Sequence, residues 1–199
     1  SVPHVTKISR AQNVLMRYVR YTIALWKLVR SADMVYLQDS FSAGVPLRVI
    51  RMFIYFPFIL KIVGDPAWER GQAEGKTTDS IDEFQTRKYD VRTEIIRRLS
   101  RWVASAASKI IVPSYYLSRI VAGWGIDPKV IEVIYNATEV PTKMTPIDAW
   151  PHCRTVLKVG RLVPWKGIDQ LIRVIPDLPP DVVIVIIGVL STLLMANFI

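Results

Sequence analysis

The nonapeptide VGRLVPWKG, residues 159–167, sets Arg161 and Lys166 five positions apart, each beside a glycine, Gly160 and Gly167. Arginine offers phosphate oxygens a planar fork of donors and lysine a mobile point charge, so the pair suits an anion with room for both, such as a diphosphate. Gly160 lets the chain turn sharply off an apolar strand, and Gly167 stands where the next helix begins, near the positive end of its dipole. A solvated loop with two incidental cations is the plain alternative. The stretch is neither a P-loop, G-x-x-x-x-G-K-[ST], nor a G-x-G-x-x-G dinucleotide fingerprint, and the chain contains no Asp-x-Asp pair.

The elements that must carry this loop are alternating strands and helices. MVYLQ (34–38), FILKIV (58–63), KIIVPS (109–114), KVIEVIYNA (129–137), TVLKVG (155–160) and DVVIVIIG (181–188) read as short strands of continuous Val and Ile character, as in a parallel sheet covered on both faces. Helical periodicity predicts helices over 11–29, from 42 to 51, from 91 onward, over 115–125 and over 168–174. In the first, Val14, Leu15, Tyr18, Tyr21, Leu25 and Leu28 form the apolar stripe, with Arg17, Arg20 and Lys27 largely off it. In the third, Ile95, Leu99, Trp102, Val103 and Ala106 share a face, and Arg97, Arg98 and Arg101 lie mostly on the other. Residues 69–90, polar and carrying Gly71, Gly75, Asp79, Asp82 and Glu83, read as a long excursion outside the sheet.

Strand, helix and strand joined by short connections make βαβ units, so the fold class is α/β with Rossmann-like parallel sheets. Pro141, Pro146 and Pro151 mark 141–152 as a linker between a first domain, 1–140, and a second, 153–199, where the strand–helix cycle restarts. Ligands of such sheets bind at the carboxyl ends of strands, and VGRLVPWKG occupies that place.

With 199 residues, 51% hydrophobic and 22% charged, the chain has the composition of a folded protein. The formal charge is +9, and Lys7, Arg10, Arg17, Arg20, Lys27 and Arg30 all precede the first acid, Asp33. An anionic membrane surface is thus a natural neighbour of the first helix, whose alternative is a domain helix with a solvated basic face. No nucleic-acid module is recognisable. Cys153 is the sole cysteine, which excludes an internal disulfide and fits a reducing, cytoplasmic setting; His4 and His152 are too few for a zinc site. Asn136-Ala137-Thr138 matches a glycosylation acceptor and, without a signal peptide, reads as chance. The uncharged run 182–199 suits a buried strand or, at the lower edge of the spanning length, a membrane segment.

Taken together, KIIVPS, VIEVIYNATEV and VLKVGRLVPWKGIDQLI resemble, in order and spacing, consecutive segments of the GT-B retaining glycosyltransferases of family four, also called glycosyl transferases group one. The resemblance implies a hexosyltransferase-type enzyme that moves a sugar from a nucleotide-diphosphate donor to a sugar, lipid or protein acceptor. The donor would bind in the cleft between two Rossmann-like domains, with no metal and no cofactor besides the donor substrate. Carried over, Gly160, Arg161, Lys166 and Gly167 would hold the donor diphosphate, while Asn136 and Glu139 would lie at the domain junction. The segments ADMVYLQDSFSAGVPL and FILKIVGDPAWERG resemble the later part of the acceptor domain; where many relatives carry a histidine that touches the donor sugar, this chain has Gly64 and Asp65. Asp65 suits either a hydroxyl hydrogen bond or the cap of a helix opening at Pro66. Trp68 and Glu69 suit a sugar contact or, for the tryptophan, packing.

The departures are specific. Residues 135–139, YNATE, stand where the family has Pro-Asn-Gly-Val-Asp, and neither the glycine-rich first strand nor the later Glu-x7-Glu motif is present. The expectation is therefore an incomplete chain with both domains partial and inactive alone, acting in its complete form in the cytoplasm at the inner membrane face. The competing reading is a non-catalytic, membrane-associated or interaction remnant.

Overall fold

The computed structural model describes residues 5–6, 13–139 and 153–188. The chain divides into two compact units, Ser1–Glu69 with Asp79–Asn136, and Arg70–Thr78 with Ala137–Ile199. The linker expected at 141–152, the first residues of the helix expected from 11, and the apolar run beyond Gly188 lie outside the described residues.

From α1 (Val14–Val29) the chain passes through β1 (Val35–Leu37), α2 (Gly44–Arg51), β2 (Phe58–Lys61), α3 (Pro66–Ala73), α4 (Ile81–Thr86), α5 (Val91–Ala104), β3 (Lys109–Val112) and α6 (Tyr115–Ala122) to β4 (Ile131–Val133). The four strands form a parallel sheet in sequential order, and Leu37, Leu60, Ile110 and Ile131 stand side by side across it. Right-handed crossovers between strands in this order set their helices on one face. There Leu47 and Ile50 of α2, Val103 of α5, and Leu117 and Val121 of α6 join Leu37, Phe58, Leu60, Ile110 and Val112 in one buried cluster. The other face is covered less: burial alternates along β2 and β3, and Tyr36 and Lys109 are exposed. Continuous Val and Ile character in these strands thus does not correspond to equal burial on both sides.

Three further differences from the sequence reading have local physical causes. The excursion over 69–90 contains the end of α3 and all of α4. Ser80 caps α4 by accepting from Glu83 N, while the Glu83 side chain accepts from Ser80 N, a reciprocal capping box. The strand expected over 129–137 shrinks to β4, because Pro128 opens a 3-10 turn over Pro128–Val130.

The third concerns α5. Its buried side includes Thr93, Ile96, Arg97 and Ser100, while Ile95 is exposed. Arg97 is only 6% exposed. Its guanidinium donates through Nη1 and Nη2 to the carbonyls of Arg87 (3.1 Å) and Phe84 (2.7 Å) and to Glu94 Oε1 (2.8 Å), which offsets much of the penalty of burying the charge, while its buried Nε makes no hydrogen bond.

In the second unit β5 (Arg154–Val159) and β6 (Val182–Ile187) run parallel, in register from Arg154 beside Val182 to Val159 beside Ile187. Between them lie a 3-10 turn, Pro164–Lys166, and α7 (Ile168–Val174), on the bounds the periodicity predicts. Arg154 and Asp181 close the start of the pair with two hydrogen bonds, 2.7 and 2.9 Å. Among the described residues no helix is long and apolar enough to cross a membrane.

Candidate functional site

The loop after β5 is built almost wholly by its own backbone. Gly160 N–H donates to the Ile187 carbonyl at 2.9 Å, which carries the pairing with β6 one residue past the strand. β6 then closes in at Gly188, where any Cβ would collide with the Gly160 carbonyl oxygen and sit 3.1 Å from Leu162 Cδ2. Val163 N–H donates back to the Arg161 carbonyl (3.1 Å), a three-residue turn, and the Val163 side chain is buried. Lys166 N–H donates to Val163 O (3.0 Å) and Gly167 N–H to Pro164 O (3.2 Å).

Arg161 and Lys166 thus flank one buried anchor, both exposed. Gly167, at φ 64° and ψ 30°, takes the left-handed conformation from which α7 departs. A side chain there would cost about 1–2 kcal/mol. Because α7 has seven residues and no side-chain cap, its dipole adds little, and the anion chemistry of the loop rests on the two cations.

Asp65 follows β2 and is 2% exposed. Its Oδ1 accepts from Ala67 N (2.9 Å) and Trp68 N (3.2 Å), capping α3, and its Oδ2 accepts from Gln85 Nε2 (3.0 Å). Gln85 Oε1 in turn accepts from Trp124 Nε1 (3.0 Å) and Arg101 Nη2 (3.4 Å). Of the two roles its setting suits, Asp65 occupies the cap. Burial, more than the nearby Arg97 charge, pulls the Arg101 guanidinium below the usual arginine range, and Asp65 and Glu94 pull the other way. Trp68 packs with Ala67, Phe84 and Ile96 and donates to the Asp79 carbonyl at 2.9 Å.

Gly160, Arg161, Lys166 and Gly167 come together in a single loop of the second unit, to which Glu139 also belongs; Asp65 and Asn136 belong to the first. Asn136 and Glu139 are exposed beyond β4, where the Tyr115 and Tyr135 rings meet edge to face at 6.4 Å. Sequence reasoning missed Gln85, Arg101 and Trp124, the groups that fix the Asp65 side chain. The capping box at Ser80 and Glu83 was a signal for α4, but nothing local announces a bond from Gln85 to Asp65, twenty residues away.

Parallel sheets in both units, the second opening on a Gly-Arg loop, put the chain in the α/β class with Rossmann-like sheets, and its solved neighbours have the GT-B fold. Among solved structures, Anabaena Alr3699/HepE in complex with UDP and glucose is similar at a TM-score of 0.67 and 18% identity, over 92% of this chain and 47% of that one. The lipopolysaccharide outer core galactosyltransferase WaaB, in its apo form, is similar at 0.51 and 16%, over 96% and 46%. A Listeria monocytogenes chain named as a UDP-N-acetylglucosamine 2-epimerase is similar at 0.56 and 14%, over 97% and 57%. The chain therefore spans less than half the length of the first two, and at these identities the likeness is one of fold. No protein-family model and no curated protein sequence matches it.

Proposed function

We propose that the chain is part of a glycosyltransferase that moves a hexosyl group from a nucleotide-diphosphate sugar to an acceptor hydroxyl without a metal. Its acceptor-side domain would run to 140 and its donor-side domain from 153. The observation that carries this reading is the pair Arg161 and Lys166, displayed on either side of buried Val163 at the carboxyl end of β5 in a GT-B fold. When the bond from the sugar's anomeric carbon to the diphosphate breaks, the electron pair stays on phosphate oxygen. Two cations beside it stabilise that charge as it develops, and loss of one such donor typically costs about 3–4 kcal/mol of transition-state stabilisation.

The solved neighbours support this reading, since Anabaena Alr3699/HepE holds UDP and WaaB is named a galactosyltransferase. The epimerase-named neighbour favours a second reading, in which the same loop grips a nucleotide sugar that is isomerised and not transferred. We place the protein in the cytoplasm, in keeping with its one free cysteine, Cys153, and against the inner membrane face through basic α1.

Titration of UDP into the complete form of the protein is the test. Binding that falls by about tenfold or more in Arg161→Ala and in Lys166→Ala is expected. Equal affinity in the variants, or no binding by the parent protein, overturns the donor assignment. Product analysis with UDP-glucose and candidate acceptors then separates transfer from epimerisation.

A further inference from the structure

We propose that α1 and the turn at 52–55 form one ridge that seats on an anionic bilayer by inserting apolar side chains, not by charge alone. This deepens the membrane part of the reading above and is independent of the donor loop.

The starting observation is that α1 has more apolar surface than its core needs. Tyr18, Thr22, Leu25 and Val29 stand one above another at helical spacing on the inward side; Val29 is buried and Leu25 packs against the core. Val14, Leu15 and Leu28, which the sequence assigns to that stripe, are exposed. A second stripe, Met16, Val19 and Ile23, points outward, with Ile23 at 53% exposure.

This outer stripe leads to half-buried Trp26, whose ring lies 6.0 Å from that of Phe53. Phe53 follows α2 and is 71% exposed, with Met52 also exposed and Tyr55 at 81%. Apolar side chains therefore run unbroken from α1 onto the turn, and the fold buries none of them fully.

The border of the ridge is cationic. Arg20, Lys27 and Arg30 lie on the outward side of α1, and the Arg51 guanidinium lies 5.2 Å from the Tyr55 ring centroid. Neither 13–32 nor 41–63 contains an acid. Apolar side chains at the centre and Lys or Arg at the edge suit the boundary between headgroups and acyl chains, where the cations reach lipid phosphates. A nucleic acid would use the charge and could stack on Phe53 and Tyr55, but it has no use for the aliphatic stripe Met16, Val19 and Ile23, which suits acyl chains.

Co-sedimentation of the full chain with vesicles tests the proposal, using phosphatidylcholine alone and phosphatidylcholine with an equal share of phosphatidylglycerol. Binding to the anionic vesicles is expected, with a remainder that persists at 0.5 M salt, where charge attraction is largely screened. Ile23→Ser with Phe53→Ser and Tyr55→Ser should weaken it by about tenfold or more, with unchanged circular dichroism and UDP titration. In the unmodified protein, brominated acyl chains should quench tryptophan fluorescence. Absence of vesicle binding overturns the proposal. So does a triple variant that binds like the parent, since charge alone would then act, or a lipid-free dimer that the triple variant dissociates, since a second copy would then cover the ridge.

Discussion

Arg97 and Phe84 are joined twice: Arg97 Nη2 donates to the Phe84 carbonyl at 2.7 Å, and the guanidinium carbon lies 4.3 Å from the Phe84 ring centroid. The pair fastens α4 to α5 with one planar group, using its edge for the carbonyl and its face for the ring.

Removal of that group should unfasten α4. Arg97→Ala leaves the Phe84 and Arg87 carbonyls without their donor and opens a void beside Phe84, and should cost about 3 kcal/mol. Arg97→Lys keeps the charge but not the fork and should recover less than half. Urea denaturation of the three proteins measures this, and equal midpoints for parent and Arg97→Ala would contradict the role.

Asp65 should behave as a structural cap. Asp65→Ala removes the acceptor for Ala67 and Trp68 and leaves the Gln85 amide with only the longer bond to the Ile81 carbonyl (3.4 Å), at a cost of about 2–3 kcal/mol in all. Asp65→Asn keeps one capping oxygen and should lose about half as much. Denaturation midpoints check the order; an alanine variant as stable as the asparagine variant would remove the cap from the account.

The Tyr116 hydroxyl donates to Asp82 Oδ2 at 2.7 Å, tying α6 to α4. Partial burial, then the hydrogen bond to Asp82 and its charge, push the phenol from 10.0 to about 12. An acid whose folded pKa is raised contributes stability that is complete below its unfolded value and lost as pH rises through the folded one. The stability gap between the parent and Tyr116→Phe should therefore hold steady to pH 10 and close between pH 10 and about 12. Urea unfolding across that range, with phenolate absorbance to follow the titration, would show it; a pH-independent gap would place the contribution in packing alone.

Gly167→Val should destabilise the second unit by about 1–2 kcal/mol, because a β-branched side chain resists φ 64°, and Gly167→Asn by less. Both effects are readable as a loss of amide protection across β5 and β6, and equal protection in all three proteins would show that the loop can take another path.

The sequence by itself determined the order of the strands, the helices α1, α2, α5, α6 and α7, and the position of the cation loop, but not α3 and α4. Apolar runs such as FILK and VVIVII, and the interval from Gly160 to Gly167, act over a few residues and leave a local trace. Periodicity also found α1, but not which of its two apolar stripes faces inward, since the buried stripe is set by α2 and the sheet beyond it. Arg97 read as a cation off the apolar face, although the carbonyls of Phe84 and Arg87 to which it donates come from a segment whose polarity suggested a loop. Asp65 stood between a ligand contact and a cap until Gln85 and Trp124 were placed beside it. What tertiary structure alone decided is which polar groups are buried and by whom, because burial belongs to neighbours brought together from distant parts of the chain.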